Sequence, residues 1–158
     1  MARAVRAPEI TFQDRWGAPV DIWGLGCVAL ELLLPHRPFF PDEPPEESYI
    51  NDFVHLAQMI ELLGPFPPET LANSHGASAF FDKDGSVSKK AGRIRLSGRG
   101  ALREQLARVG LSGAELDETH AFLRRMLALD PAKRATAVEL LNDPFMADFD
   151  LRATGPAH

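Results

Sequence analysis

The feature of this sequence that most constrains its fold is an apolar run from Ile22 to Leu34, in which Glu31 is the only charged residue. The run has 13 residues, which is too many for a typical strand and fewer than the roughly 20 that a helix needs to span a bilayer. It therefore predicts a buried helix, which Asp21 can cap and which Pro35 ends. A helix that is apolar on nearly all sides belongs in the centre of a sizeable domain.

Two glycines interrupt this predicted helix, Gly24 and Gly26. Each lowers helix propensity by roughly 1 kcal/mol relative to alanine. Their presence predicts that another part of the structure approaches the helix backbone closely at both positions.

The charge of the chain is unevenly distributed. Its 158 residues are enough for one domain with a hydrophobic core, and the net charge of −5 argues against a nucleic-acid binder. Residues 36–62 carry six acids and one base, whereas residues 83–108 carry eight bases and two acids. Such runs are typical of two solvated surfaces of opposite sign.

The cysteine content and the N-terminus bear on the cellular compartment. Cys27 is the only cysteine, so the chain can form no internal disulfide, and we interpret this residue as part of the core. The first nine residues lack the apolar segment of a secretory signal. These features predict an intracellular protein of the cytoplasm, the nucleus or both, without membrane contact.

The rest of the chain predicts shorter helices joined by long loops. Apolar residues at helical spacing run from Phe53 to Leu63, and Gly64 is a stop signal. Residues 65–100 read mostly as loop, with a turn at Asp84-Gly85. Helices are predicted over residues 100–109 and 112–129 and at residues 136–141, the last two opened by the capping boxes Ser112–Glu115 and Thr136–Glu139. No segment reads as a convincing strand, so the fold class is mainly α.

Motifs for metal or nucleotide binding are missing from this sequence. The five histidines show no ligand spacing with cysteines or carboxylates. The "GLG" at residues 24–26 lacks the third glycine of a phosphate-binding loop and follows no strand. The sequence predicts no catalytic residue, no metal and no cofactor in this chain.

Four segments stand out together: "RAPE" at 6–9, "DIWGLG" at 21–26, "HLAQMIELLG" at 55–64 and "LDPAKRATAVELLNDPFM" at 129–146. In this order and spacing they resemble the C-terminal lobe of eukaryotic protein kinases, where A-P-E closes the activation segment. The resemblance implies a partial kinase domain over residues 5–149, from the A-P-E motif to the last helix, and a flexible tail over residues 150–158. The long apolar helix corresponds to the central helix of the kinase large lobe.

The motifs with which kinases bind ATP and magnesium do not occur here. The sequence contains no G-x-G-x-x-G-x-V, no V-A-I-K, no H-R-D-x-x-x-x-N and no D-F-G. The resemblance therefore implies a large lobe that lacks the N-terminal lobe and the catalytic loop. An intact relative would use ATP and Mg²⁺, and this chain would be catalytically inactive.

The resemblance implies roles for individual residues. Glu9 would form a buried ion pair with Arg134, and Asp21 would anchor a catalytic loop that is absent here. Arg6 and Ala7 would lie where a substrate residue docks beside the phosphorylated hydroxyl.

Within the kinases, "HLAQMIELLG" and "FFDKDGS" are most similar to the SR-protein kinases and their fungal relatives. That family phosphorylates serines in Arg/Ser-rich segments, which an acidic groove beside this helix binds. The resemblance assigns substrate docking to Asp52 and Glu61, with the acidic loop 42–47 nearby. The chain departs from the family at Val54, where an acid is expected, and at Arg99, where tryptophan is common.

Three interpretations remain open from the sequence. The first is a fragment of an SR-protein-kinase-like serine/threonine kinase. The second is a non-catalytic interaction module that binds basic Arg/Ser-rich protein segments, and the third is an incomplete gene model. The sequence does not indicate the oligomeric state.

Overall fold

The computed structural model describes residues 3–39, 48–88, 90, 94 and 96–147. In this part of the chain the helices are α1 (Pro8–Thr11), α2 (Pro19–Leu33), α3 (Ser48–Leu63), α4 (Pro68–Asn73), α5 (Leu102–Arg108), α6 (Gly113–Met126), α7 (Ala137–Leu141) and α8 (Pro144–Ala147). The only β pairing among these residues is an isolated antiparallel bridge between Phe81 and Val87. The mainly α fold class is confirmed, while residues 150–158 lie outside the described residues.

Helix α2 begins three residues earlier than the apolar run predicts. Its N-cap is Ala18, and Pro19 takes the first helical position, where its fixed φ suits the helix and its missing N–H costs nothing. The prediction that Asp21 caps the helix is therefore wrong. Asp21 lies in the first turn, where its charge interacts favourably with the helix dipole. The predicted end is confirmed, since Leu34 is extended, as the residue before a proline prefers.

Helix α2 is buried on one side only, contrary to the prediction of burial all round. Trp23, Cys27 and Leu30 on the buried side are at most 1% exposed. Three large apolar side chains on the opposite side are exposed: Leu25 (54%), Val28 (47%) and Leu32 (83%). We call these three residues the exposed face of α2. None of the described helices has the length and apolarity that crossing a membrane requires.

The two glycines of α2 differ in their surroundings. A Cβ added to Gly26 would lie 2.8 Å from a methyl carbon of Leu127 and 3.1 Å from Cβ of Met126, so α6 packs directly on the α2 backbone there. A Cβ added to Gly24 would meet no atom of the described residues within 4 Å. The predicted close approach is confirmed at Gly26 and not found at Gly24.

Helix α3 supplies much of the core and ends as predicted. Gly64 follows it with a φ of 91°, a left-handed conformation that glycine adopts without strain. Phe53 and Leu56 are fully buried on this helix. The Phe53 ring packs edge-to-face on Phe80, with 5.0 Å between ring centroids.

The segment after α3 contains more structure than its composition predicts. Helix α4 starts with Pro68 in its first turn, and a 3-10 turn follows at Ala77–Ala79. The ring centroids of Phe66 and Phe81 lie 5.3 Å apart, and both rings contact the ring of Phe12, just after α1. This aromatic cluster holds the segment against the body of the protein.

The C-terminal helices test the two predicted capping boxes. At α7 the box is confirmed, because Thr136 accepts from the Glu139 backbone N–H and Glu139 accepts from the Thr136 backbone N–H. At α6 it is wrong, because the Ser112 side chain makes no capping hydrogen bond. Helix α6 also ends at Met126, three residues before the predicted end.

Candidate functional site

Glu9 and Arg134 lie in contact in the interior of the protein, although 125 positions separate them in the sequence. Arg134 Nη1 donates to Glu9 Oε1 at 2.7 Å, and Nη2 donates to Oε2 at 3.1 Å. The Arg134 side chain is 0% exposed and that of Glu9 is 4% exposed. This two-point geometry matches the planar guanidinium to the planar carboxylate, which makes it one of the stronger forms of ion pair.

Two further N–H groups of Arg134 also donate hydrogen bonds. Nη1 donates to the Pro19 carbonyl at 2.8 Å, and Nε donates to the Ala128 carbonyl at 3.1 Å. The guanidinium carbon lies 5.1 Å from the ring centroid of Trp23, within the range of a cation–π interaction. Arg134 therefore ties α1, the start of α2 and the end of α6 to one another.

Asp21 is exposed in the first turn of α2. It shares one side of the helix with Leu25, Val28 and Leu32, because spacings of four, seven and eleven residues return to nearly the same angle on a helix of about 3.6 residues per turn. Its role as an anchor for a catalytic loop stays a prediction.

Arg6 and Asp52, two of the predicted docking residues, are close together. Arg6 Nη1 lies 3.4 Å from Asp52 Oδ1, and both side chains are partly exposed. The fully buried His55 holds the Arg6 backbone through its Nε2, which is 2.9 Å from the Arg6 carbonyl and donates to it. Ala7 is fully buried beside them, so its own side chain is not available to a ligand.

Glu61, the other predicted docking residue, binds the loop that precedes α5. Its Oε2 accepts from the Ser97 backbone N–H at 2.9 Å and from the Ser97 hydroxyl at 2.8 Å. Its Oε1 accepts from the Gly100 backbone N–H at 3.5 Å. The Glu61 carboxylate is therefore already occupied by Ser97 and Gly100, which belong to the chain's own basic segment, residues 83–108.

The geometry of α3 separates the two acids that were assigned to docking. Asp52 and Glu61 are nine residues apart, which on a helix corresponds to about half a turn of rotation and about 13 Å along the axis. They face different sides of α3, one toward Arg6 and the other toward Ser97. The acidic loop 42–47, which was expected to lie nearby, is outside the described residues. The docking assignment stays a prediction.

Three further hydrogen bonds fix the loop that carries Ser97. Arg99 Nη1 donates to the Arg37 carbonyl at 3.0 Å, and Arg108 donates to the Arg99 carbonyl. Gln105 Nε2 donates to the Gly100 carbonyl at 2.7 Å. These bonds join the Ser97 loop to Arg37 in the loop after α2 and to α5.

The described residues provide no group of three or more histidine, cysteine or acidic side chains that could hold a metal ion. Cys27 is buried on α2, and burial followed by the nearby Glu31 charge raises the pKa of its thiol to about 12. A thiol with so high a pKa is a poor nucleophile at neutral pH. The structure therefore agrees with the interpretation of Cys27 as a core residue.

Several of these contacts could not be found in the sequence. Ser97 lies 36 positions from Glu61, and His55 lies 49 positions from the Arg6 carbonyl that it binds. A lone serine in a glycine-rich basic loop and a histidine in an apolar helix carry no signal that pairs them with distant groups. Only the folded chain brings them together.

Known proteins resemble this chain over nearly its whole length. Residues 2–146 match the protein kinase domain family. Serine/threonine-protein kinase SKY1 of Saccharomyces cerevisiae is 36% identical over 147 residues, which are 92% of this chain and 19% of that protein. Serine/threonine-protein kinase SRPK of Physarum polycephalum is 31% identical over 147 residues, which are 92% of this chain and 33% of that protein.

A third relative lies outside the SRPK and SKY1 kinases. Dual specificity tyrosine-phosphorylation-regulated kinase 3 of Homo sapiens is 34% identical over 160 residues, which are 92% of this chain and 26% of that protein. The chain thus spans about a fifth to a third of the length of these relatives. The family match and the A-P-E glutamate bound to the arginine of D-P-x-x-R lead to one conclusion: the chain belongs to the protein kinase family, with SRPK and SKY1 kinases among its relatives.

Proposed function

We propose that this chain forms the large, substrate-binding lobe of a serine/threonine protein kinase related to the SR-protein kinases, and that it does not transfer phosphate by itself. The observation that supports this most strongly is the exposed face of α2. Leu25, Val28 and Leu32 form one apolar stripe on α2. An exposed leucine is ordinary on its own, but a stripe of this kind marks an interaction surface.

The same side of α2 carries two further signs of a missing neighbour. Gly24 lies next to the stripe, and the space above its backbone is open among the described residues. Asp21 begins the stripe and is the residue that the kinase resemblance assigns to the catalytic-loop backbone. A neighbour that covers the leucines would also approach Gly24 and Asp21, so one occupant accounts for all three features.

This proposal assigns a limited role to the residues present. The Glu9–Arg134 pair holds the end of the activation segment against α2 and α6, and the segment at Arg6 and Ala7 is placed by His55 and Asp52. ATP and Mg²⁺ would be held by residues outside this sequence, since none of the motifs that bind them occurs in it.

A thermal-shift measurement with millimolar Mg-ATP tests the inactive part of this proposal. We expect no change in the melting temperature of the 158-residue chain. Saturation at 100 times the dissociation constant would stabilise the chain by about 2.7 kcal/mol, which such an assay detects readily. A clear upward shift, or phosphate incorporation into an Arg/Ser-rich peptide, would contradict the proposal.

A second candidate function is the binding of basic Arg/Ser-rich protein segments without catalysis. The contact of Glu61 with Ser97 favours it, because here a carboxylate on α3 already accepts hydrogen bonds from a serine of a basic segment. An Arg/Ser-rich partner would add guanidinium groups, which pair with carboxylates through two hydrogen bonds. Each exposed pair is worth only about 0–1 kcal/mol, so the expected affinity is weak, on the order of tens to hundreds of micromolar at low salt.

Titration of a labelled Arg/Ser peptide at two salt concentrations tests this second function. We expect Glu61→Lys to weaken binding more than Glu115→Lys, which makes the same change in net charge at an exposed position on α6. Binding should also fade at 1 M salt, where the Debye length falls to about 3 Å. Equal affinities for the two variants would show that Glu61 does not contact the peptide.

A further inference from the structure

Ser97 lies at the centre of the contact between the basic segment and α3. Its side chain is exposed, and its hydroxyl and its backbone N–H both donate to Oε2 of Glu61. The hydroxyl oxygen also accepts from the Arg99 backbone N–H at 3.2 Å. One serine therefore supplies two of the three hydrogen bonds through which Glu61 holds this loop.

The sequence around Ser97 is "RIRLSGR", with arginine two positions before and two positions after the serine. Protein kinases select substrates partly by the pattern of charge around the reacting residue. An exposed serine between arginines on a glycine-containing loop has the chemistry of a substrate for a serine kinase that prefers basic sequences.

We propose that Ser97 is a phosphorylation site and that a phosphate on it releases the Ser97 loop from Glu61. In the reaction, the Ser97 oxygen forms a bond to the γ-phosphorus of a nucleoside triphosphate held by a separate serine kinase. The bond from that phosphorus to the oxygen bridging to the β-phosphate breaks, and nucleoside diphosphate leaves. The hydroxyl proton passes to the catalytic base of that kinase.

Phosphorylation removes the interaction that now holds the loop. The Ser97 oxygen can no longer donate to Glu61, and the phosphate places a charge of about −1.5 to −2 beside the carboxylate. The Ser97 oxygen that would carry the phosphate lies 2.8 Å from Glu61 Oε2, and like charges so close repel strongly even near the protein surface.

Two described cations near Ser97, Arg99 and Arg108, already donate to other acceptors. Arg99 donates to the Arg37 carbonyl, while Arg108 contacts Glu104 and the Arg99 carbonyl. Capture of the phosphate by these arginines would require those bonds to break, so release is the favoured response. The loop would then leave Glu61 open to a basic ligand, a consequence that rests on the docking function proposed above.

Hydrogen exchange measures release directly. The 158-residue chain is prepared with phosphoserine incorporated at position 97, and the Ser97 and Gly100 amides are compared with those of the unmodified chain. We expect exchange to accelerate on the order of tenfold, because both amides lose Glu61 as acceptor. Phosphoserine at position 112, an exposed serine with no side-chain cap, adds the same charge elsewhere and should leave these amides unchanged.

Glu61→Gln separates charge repulsion from simple crowding. In that variant one acceptor oxygen remains for Ser97, while the negative charge and the acceptor for the Gly100 N–H are lost, so phosphorylation of Ser97 should accelerate exchange of the Ser97 amide much less. Unchanged or slower exchange in the phosphorylated parent would overturn the proposed release, and so would an equal acceleration in Glu61→Gln.

The modification itself is tested with a serine kinase that prefers arginine two positions before and after its target. We expect labelled phosphate to enter the parent and not Ser97→Ala. Equal labelling of the two proteins, or none, would overturn the assignment of the site. If the loop is released but Arg/Ser peptide affinity does not rise, the docking function fails while the phosphorylation switch stands.

Discussion

The buried Glu9–Arg134 pair provides the sharpest test of how this lobe is held together. Glu9→Ala would leave Arg134 fully buried, with two carbonyls and the Trp23 ring as its remaining neighbours. Arg134→Ala would leave a buried carboxylate without its two donors, and would also remove one donor from each of the Pro19 and Ala128 carbonyls. Breaking a buried pair by removing one member costs about 3–5 kcal/mol, and we expect the arginine variant to lie at the upper end.

The double variant Glu9→Ala/Arg134→Ala should cost less than the sum of the single changes. Once one partner is gone, removing the other eliminates an uncompensated buried charge, so a coupling energy of about 0.5–3 kcal/mol is expected. Urea unfolding followed by tryptophan fluorescence gives the three free energies, because Trp23 is buried and stacked on Phe39 and becomes exposed on unfolding, whereas Trp16 is already exposed. Arg103→Ala is the control, since its pair with Asp117 is more than half exposed and should change stability by about 0–1 kcal/mol. Strict additivity of the two single variants would refute the reasoning.

Three further predictions concern α2 and α7. Gly26→Ala should destabilise the chain by about 1–3 kcal/mol because the new methyl group meets Leu127. Gly24→Ala should stabilise the chain by up to about 1 kcal/mol, because its methyl group meets no neighbour among the described residues and alanine favours the helix. The urea midpoint of Gly24→Ala should therefore be the higher of the two, and the reverse order would contradict the prediction. The Cys27 thiol, buried and with a pKa raised to about 12, should stay unreactive toward a disulfide reagent in the native protein and react fully in urea; rapid native labelling would contradict the assigned burial. Hydrogen bonds from the Thr136 backbone and hydroxyl lower the pKa of Glu139, so its contribution to stability is present above the ordinary value of 4.5 and is lost as the pH falls through the lowered value. The melting-temperature difference between the parent and Glu139→Gln should therefore shrink in acid. A difference that stays constant with pH would contradict the lowered pKa of Glu139.

The sequence predicts the helices well where the signal is local. Proline, glycine and the Thr136 capping box act within a few residues of the backbone that they control. The C-terminal ends of α2 and α3 and the start of α7 are therefore correctly predicted. Helix α4 is missed because a six-residue helix has too few apolar positions to show a period. The Ser112 box fails because a matching sequence does not ensure that the side chain turns toward the backbone.

The prediction that failed most usefully is burial of α2 on every side. Hydrophobicity reports what a helix needs to bury, but it does not show whether the covering elements are part of the same sequence. The function proposed above assigns those elements to residues outside this sequence, because the four motifs resemble the large lobe and none of the nucleotide-binding motifs occurs in it. Contacts such as Glu61 with Ser97 depend on the tertiary fold and lie beyond both kinds of reasoning.

Under the function proposed above, the remainder of a kinase domain covers the exposed face of α2. A chimera tests this most directly. The part of SKY1 that precedes its matched region is fused upstream of this chain. The effect of Leu32→Ser on the unfolding free energy is then measured in the chimera and in the 158-residue chain. In the isolated chain Leu32 is 83% exposed, so the substitution should change the unfolding free energy by no more than about 0.5 kcal/mol.

In the chimera the same substitution should cost about 1.5–3 kcal/mol, because the leucine becomes buried. Leu30→Ala is the positive control, since Leu30 is buried in both proteins and should cost about 2–5 kcal/mol in each. A larger effect of Leu32→Ser in the chimera than in the isolated chain is the predicted result. An equally small effect in both proteins would contradict the claim that this face is an interface within the kinase domain.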